Sequence, residues 1–409
     1  MSSSSKDDFP WHLGVFDAHC HPTDIMSSMS SLPTMKARCL TVMSTRAQDQ
    51  HLVARVADQH GVATKNYEDW KREECMIPCF GWHPWFAHTM YLDAPSADPS
   101  GEGAGEGRGE AEEKVLTGEA KIKHYQNVLV PRREEPTQDE RKMYLSLPDP
   151  TSFSIFFSQT RKNLEKYPLA LVGEIGLDRS FRIPEVYKGD REDDSLTPGG
   201  REGRPLTPFR CAPAHQKEIF KRQLQLAAEL DRGVSVHGVQ AHGLVFSTIK
   251  ELWQDHQLPV LSKRERKKRG TDDLGVTSHL SSQSVHNDKP KPYPPRICLH
   301  SYSGSPDAFT QYLSPSNPVS FFASFSTAIN LGNDLEGEAP EAFATIIKTV
   351  PDDMLLVESD LHTAGAEMDK RLENIVRRIC AIKGWGLEEG VRRLGDNWKR
   401  FVFGEGWMQ

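Results

Sequence analysis

Six residues suited to holding metal, His19, His21, Glu174, His237, His300 and Asp360, each sit at or just past the end of a short apolar run. The runs are LGVF before Asp17, LALV before Gly173, GVSV before His237, RICL before His300 and DMLLV before Glu358. Four imidazoles and two carboxylates are a complete ligand set for two divalent ions such as Mg, Mn or Zn. Ligands offered from strand ends are where parallel barrels keep their chemistry.

Each residue alone also has a plainer reading. His19 and His21 are two apart, so on a strand both side chains face one side, but two core histidines would show the same pattern. A carboxylate buried at Glu174 costs several kcal/mol unless positive charge meets it. A bridging place between two cations supplies that charge, and so would an arginine. His237 and His300 taken singly read as hydrogen-bonded core histidines, and Asp360 as a helix N-cap. Their joint occurrence at five separate strand ends favours metal. Two cations bring four positive charges and the carboxylates remove two, which leaves a centre suited to an anionic ester such as phosphate. Paired metals activate a water, and Asp360 could hold that water and accept its proton. His83, in CFGWHPWF, is a candidate for contacting the phosphate or protonating the leaving oxygen; its plain reading is a loop histidine stacked on Trp82 or Trp85. His242 and His362 lie just beyond site residues and are further candidates for substrate contacts.

Eight strand-like runs must position these groups: Leu13–Phe16, Cys39–Met43, Met76–Phe80, Leu169–Val172, Gly233–Val236, Ile297–Leu299, Val319–Phe322 and Met354–Val357. They are short and continuously apolar, as strands covered on both faces are. Amphipathic stretches such as AQDQHLVARVADQH and AHQKEIFKRQLQLAAELDRG fall between them. Eight such alternations predict an α/β fold, a (β/α)8 TIM-type barrel.

Three stretches interrupt the rhythm: 93–150 with GEGAGEGRGEAEE, 187–210 rich in Pro, Gly and charge, and 262–295. They read as insertions into loops of one domain spanning 1–409, since the strand count is complete only when both flanks are added. Without them roughly 290 residues remain, a usual barrel size. The third insertion carries KRERKKR, in which six of seven residues are basic. Lys263, Arg264, Arg266, Lys267, Lys268 and Arg269 would serve a nuclear import signal or a DNA-tracking arm, or form a solvated loop.

Composition narrows the classes. A net charge of −7 over 409 residues argues against a broadly basic surface for duplex DNA. Seven cysteines without a CxxC pair read as reduced thiols. The start lacks the apolar core of a signal peptide, and no run reaches the roughly 18 apolar residues of a membrane span. The expectation is an intracellular protein, cytoplasmic or nuclear, neither secreted nor membrane-bound.

DAHCHPTD, GWHP, GEIGLD, the His237 strand end, HSYSGS and ESD occur in an order that resembles the TatD family of metal-dependent deoxyribonucleases, within the amidohydrolase-like hydrolases. The resemblance covers both ends of the chain and skips the insertions. It implies a distorted (β/α)8 barrel and hydrolysis of DNA; a barrel-top cleft holding one scissile phosphate would admit single strands or ends more readily than duplex interior. It implies one metal on His19, His21 and Asp360, a second on His237 and His300, and Glu174 bridging both. It gives His83 a part in handling the phosphate. The chain departs from the pattern where Gly238-Val239 replaces a usual Ser-Arg, where Leu361-His362-Thr363-Ala364 replaces SPYL, and where an Arg-Asn-Glu-Pro stretch is missing. The closing Asn-x-x-Arg-Phe signature survives as Asn397 to Phe401. The long inserts resemble a fungal branch described as partners of an anaphase-promoting-complex subunit. That implies a second function class, a cell-cycle interaction protein on a weakly active barrel; a hydrolase of another ester or amide is a third.

Overall fold

A computed structural model describes residues 8–93, 115–185, 205–260 and 291–405. Its centre is an eight-stranded parallel sheet: β1 (Phe16–Cys20), β2 (Cys39–Met43), β3 (Met76–Phe80), β4 (Leu171–Asp178), β5 (Val234–Val239), β6 (Arg296–Leu299), β7 (Ser320–Phe325) and β8 (Leu355–Val357). The strands are hydrogen-bonded in sequence order. The sheet nearly closes on itself: just past β8, Asp360 N donates to His19 O at 3.0 Å, and His21 N donates to Leu361 O at 2.8 Å. The expected (β/α)8 barrel is present.

Strand alternation divides the core in two. Leu40, Val42, Met76, Phe80, Val172, Val234 and Val236 face outward into the layer beneath the helices. Phe16, Ala18, Cys39, Ile77, Cys79, Leu171, Cys298, Phe322 and Leu356 share an inner cluster with Trp398 and Phe401. Those last two belong to the final helix, Leu387–Phe403. Trp398 stacks on Phe16 at 4.5 Å and donates through Nε1 to Thr41 Oγ1 at 2.9 Å, so this helix fills one mouth of the barrel. Asn397 Nδ2 reaches Asp352 O at 2.7 Å and Leu355 O at 2.9 Å, beside β8. The Asn-x-x-Arg-Phe signature is therefore scaffolding.

Two strands match their sequence runs to the residue, and the others shift. The run at Leu13–Phe16 is only the approach to β1, because Trp11–Leu13 forms a 3-10 turn and Gly14 takes φ 87°. His19 consequently lies within a strand rather than beyond one. β4 and β5 run on to Asp178 and Val239, so Glu174 and His237 are also internal positions.

The first insertion is only partly what its composition suggests. Its Gly/Glu patch lies outside the described residues, but the remainder contains helices Gly118–Val128 and Gln138–Ser146. The second of these opens with a capping box between Thr137 and Glu140. Ile122, Tyr125, Tyr144 and Leu147 pack with Ile183 and Phe209 into a satellite core. These apolar residues are spaced for helix faces. The second insertion is described only at its edges, and the basic run at 263–269 lies outside the described residues. All seven cysteines are buried and free. Among the described residues, no helix is long and apolar enough to cross a membrane.

Candidate metal centre

Two irregularities in strand pairing create the site. Between Asp17 and Cys20 the register of β1 against β2 slips, because three steps on β1 match two on β2. The same slip occurs on β4 between Val172 and Ile175. A bulge turns a side chain off the regular alternation, and these two coincide with His19 and Glu174. His237 and His300 need no such device. Ser235 and His237 alternate regularly on β5, and His300 follows Cys298 in the same way at the end of β6. Gly176 lies opposite His237 in the ladder, where a Cβ would come within 2.0 Å of the His237 carbonyl oxygen. Only glycine permits that approach.

The six expected residues converge, and Glu174 is the hinge of the arrangement. Its Oε2 lies 3.4 Å from His19 Nε2 and 3.2 Å from His21 Nε2. Its Oε1 lies 2.7 Å from His237 Nδ1 and 2.7 Å from His300 Nε2. One carboxylate thus separates the histidines into two pairs. Asp360 stands on the Oε2 side, with Oδ1 at 3.8 Å from His19 Nε2 and 3.6 Å from His21 Nε2. Its backbone is in the left-handed region at φ 53°, which an aspartate tolerates better than most residues.

The remaining nitrogen of His19 and of His237 is hydrogen-bonded to a partner that orients the ring, while that of His300 faces a carboxylate beyond hydrogen-bond distance. His19 Nδ1 meets Ser235 Oγ at 2.8 Å, and His237 Nε2 meets Asp178 Oδ2 at 3.2 Å. His300 Nδ1 lies 3.7 Å from Glu358 Oε1. Partners of this kind set ring angle and tautomer in metal sites. Asp178, Glu358 and Ser235 were not singled out from the sequence. Asp178 and Glu358 do stand in GEIGLD and ESD, and a second acid beside each ligand was the available signal. Asp17 is a similar brace, with Oδ1 accepting from His19 N and Ser359 N, both at 3.0 Å. Burial pushes its carboxyl up to about 7.

His83 reaches the same carboxylate, with Nε2 at 3.0 Å from Glu174 Oε1. Its Nδ1 accepts from Trp85 N at 3.1 Å, so in the neutral ring Nε2 carries the proton. Burial keeps the ring neutral by lowering its pKa to about 4. A protonated Nε2 is a hydrogen-bond donor rather than a metal ligand. Ligand atoms of His83, Glu174 and His237 do lie within 4.8 Å of one another, as do those of His19, His300 and Glu358. Glu358, however, already has one oxygen on Ser301 Oγ and the other on Ser324 Oγ. We therefore take neither His83 nor Glu358 as a ligand.

His362 lines the same cavity, stacked on His21 at 5.3 Å and bonded through Nδ1 to Asp24 Oδ2 at 2.8 Å. His242 stands one layer away, against Tyr302 at 5.2 Å and Ser303 Oγ at 3.5 Å.

The electrostatics suit cations. Burial would raise the Glu174 carboxyl, but its electrostatic interactions with the imidazoles of His83, His300 and His19 outweigh it and hold it well below the ordinary range. Burial pushes Asp360 up to about 6 against the pull of His300 and His21. His19 Nε2 and His21 Nε2 are 3.1 Å apart, and His237 Nδ1 and His300 Nε2 are 3.2 Å apart. Without cations, each pair must share a buried proton. Two divalent ions remove that requirement, so the donor set fits them.

Comparison with known proteins identifies the family. Residues 16–403 match the model of the family described as TatD related DNase. The chain belongs to the TatD-related DNase family. It is 32% identical over 389 residues to the Cut9-interacting protein of Schizosaccharomyces pombe, covering 95% of this chain and 98% of the relative. It is 25% identical to an uncharacterized deoxyribonuclease of Saccharomyces cerevisiae, covering 95% and 99%. A TatD homologue from Escherichia coli superposes with a TM-score of 0.48 at 15% identity, over 95% of this chain and 97% of that one.

Proposed function

We propose that this family member is a divalent-metal-dependent hydrolase that cleaves phosphodiester bonds of DNA, with single strands or ends as its substrate. The observation that carries the reading is the division of the histidine nitrogens between the two oxygens of Glu174. His19, His21 and Asp360 would hold one ion and His237 and His300 the other, with Glu174 common to both. Bound there, the ions would supply Lewis acidity toward a phosphoryl oxygen and lower the pKa of a water. The chain's own residues do the rest. Asp360, beside the first pair, is placed to orient the attacking water and take its proton. The His83 Nε2–H, which faces Glu174 Oε1, would donate to an oxygen of the bound phosphate once cations occupy that carboxylate, while Trp85 N keeps the ring in that tautomer. Asp178 and Glu358 hold His237 and His300 at their working angles. The same reading takes 1–409 as one barrel unit, with 93–150, 187–210 and 262–295 as its insertions.

The test is DNA hydrolysis by metal-stripped protein resupplied with Mg, Mn or Zn, beside Glu174→Ala and Asp360→Ala. Metal-dependent cleavage lost in both variants is the expected result. Stoichiometric metal with no cleavage of DNA would transfer the site to another ester or amide, since the same ligands serve several bonds.

The relative at 32% identity favours a second reading, because its name describes binding to another protein. A cell-cycle partner would engage the surface without the metal ligands. Partner capture that survives Glu174→Ala would support that role beside, or in place of, catalysis.

A further inference from the structure

A second cavity adjoins the metal centre. It measures about 530 Å³, within the usual range for small-molecule sites. Arg46, Trp85 and Phe86 line both cavities, so the two share one wall. On the barrel side its lining includes Trp82, Trp85, Phe86 and Phe181; on the other side stand Leu147 and Ile183 of the satellite core. This second wall belongs to the insertion helices and to the segment after β4, so the cavity exists only because the insertion packs here.

Its lining is largely aromatic and offers ring faces to a flat group. Trp85 and Phe181 stack at 4.7 Å with an interplanar angle of 14°. The Trp82 Nε1–H is buried without an acceptor, and His88 Nδ1 has no hydrogen bond of ordinary geometry. Both residues line the cavity, together with Thr89, Ser146 and Thr151, whose hydroxyls are bonded to Phe86 O, Met143 O and Met90 Sδ. Arg46 supplies the charge at the shared wall. Its guanidinium lies 4.6 Å over the Phe86 ring, and its Nε is bonded to Asp49 Oδ1 at 3.2 Å. Asp149 at the rim is offset by Lys121 Nζ at 2.6 Å.

We propose that this cavity binds the nucleobase next to the scissile phosphate and that Arg46 contacts a phosphate oxygen at the shared wall. Gly238 and Val239 bring no charge to the cavity over the metal centre, and Arg46 reaches that cavity from the segment after β2. An aromatic slot accepts any base through its π-face, so the expected selectivity is for a base over none, with little preference among bases. The inference rests on the phosphodiesterase reading for its ligand class, and binding tests it separately from cleavage.

The experiment is calorimetric titration of Mn-supplied protein with thymidine 5′-monophosphate and with 2-deoxyribose 5-phosphate. The base-bearing ligand should bind about tenfold tighter, the worth of one base–aromatic stack. Ser146→Trp fills the rim from an exposed position and should erase that difference without affecting the sugar phosphate. Phe86→Ala should reduce the difference independently. Arg46→Gln should weaken both ligands alike. Equal affinities in the parent protein would overturn the subsite, and so would a base preference that persists in both Ser146→Trp and Phe86→Ala. Unchanged affinities in Arg46→Gln would overturn the phosphate contact. A base preference in protein that cleaves no DNA would sink the nuclease reading and leave the subsite standing.

Discussion

Replacing Asp178 with asparagine should weaken one metal site and spare the other. Asp178 Oδ1 accepts from Ser180 N at 2.7 Å, Ser180 Oγ at 2.8 Å and Phe181 N at 2.9 Å. Its Oδ2 accepts from Trp85 Nε1 at 2.6 Å and faces His237 Nε2 at 3.2 Å. An asparagine keeps one acceptor and turns the other into a donor. With its NH₂ on the Oδ2 side, it opposes the indole N–H of Trp85 and can satisfy His237 only by donating to Nε2. The imidazole proton then moves to Nδ1, the nitrogen that faces Glu174 at 2.7 Å, and removes the lone pair a cation needs. With its NH₂ on the Oδ1 side, it opposes two backbone N–H groups. Either orientation leaves a buried donor unmet, at a cost of roughly 1–3 kcal/mol. Loss of such an orienting partner lowers metal affinity by roughly 10–100-fold. Calorimetric titration of metal into stripped Asp178→Asn should show one site weakened by that factor and the His19–His21 site unchanged. Two undisturbed sites in a folded variant would refute the tautomer argument. Equal weakening of both would place the effect in Glu174 rather than in His237.

Two further outcomes follow from packing and burial. Gly176→Ala sets a Cβ 2.0 Å from the His237 carbonyl oxygen, on a backbone at φ 150°, and no rotamer relieves that clash. Urea unfolding should show a loss of about 4 kcal/mol or more, whereas Gly243→Ala, with open space around it, should be neutral or mildly stabilising; parity between the two would contradict the strand geometry. Burial lowers His88 to about 3 and His124 to about 4, where His124 Nε2 bonds the His88 carbonyl at 2.8 Å. The unfolded chain takes up these protons near pH 6.5 and the folded chain does not. Stability is therefore fully present above that pH and falls as the pH drops toward 4, by about 1.4 kcal/mol per pH unit for each ring. In urea titrations between pH 7 and 5, His124→Gln should show a shallower decline than the parent, and identical slopes would count against the buried-neutral assignment.

The sequence made the barrel legible because a strand covered on both faces must be apolar throughout, and eight such runs survived even the long insertions. It also revealed which residues meet. It did not reveal how they meet. The spacing of His19 and His21 suggested a plain strand face, whereas a register slip presents His19 to the site and His21 lies past the strand end. Glu174 likewise is turned inward by a slip against β5. A bulge leaves the apolar pattern on either side nearly intact, so its only trace here is a ligand-type residue at a position whose parity points outward.

The first insertion was legible only as an interruption of the strand rhythm. Beyond its Gly/Glu patch, Ile122, Tyr125 and Tyr144 are spaced to bury a face of each helix. Low average hydropathy hides a small core, because a satellite cluster needs only a few apolar residues placed one turn apart. That cluster bears on function, since Leu147 and Ile183 form the far wall of the cavity beside the metal centre. The ligand set is the part of this molecule that its family pattern predicts. The aromatic residues of the neighbouring cavity lie beside the family motifs, but its opposite wall, at Ser146 to Asp149, comes from the segment that the pattern skips, and that is where a substrate preference particular to this chain would reside.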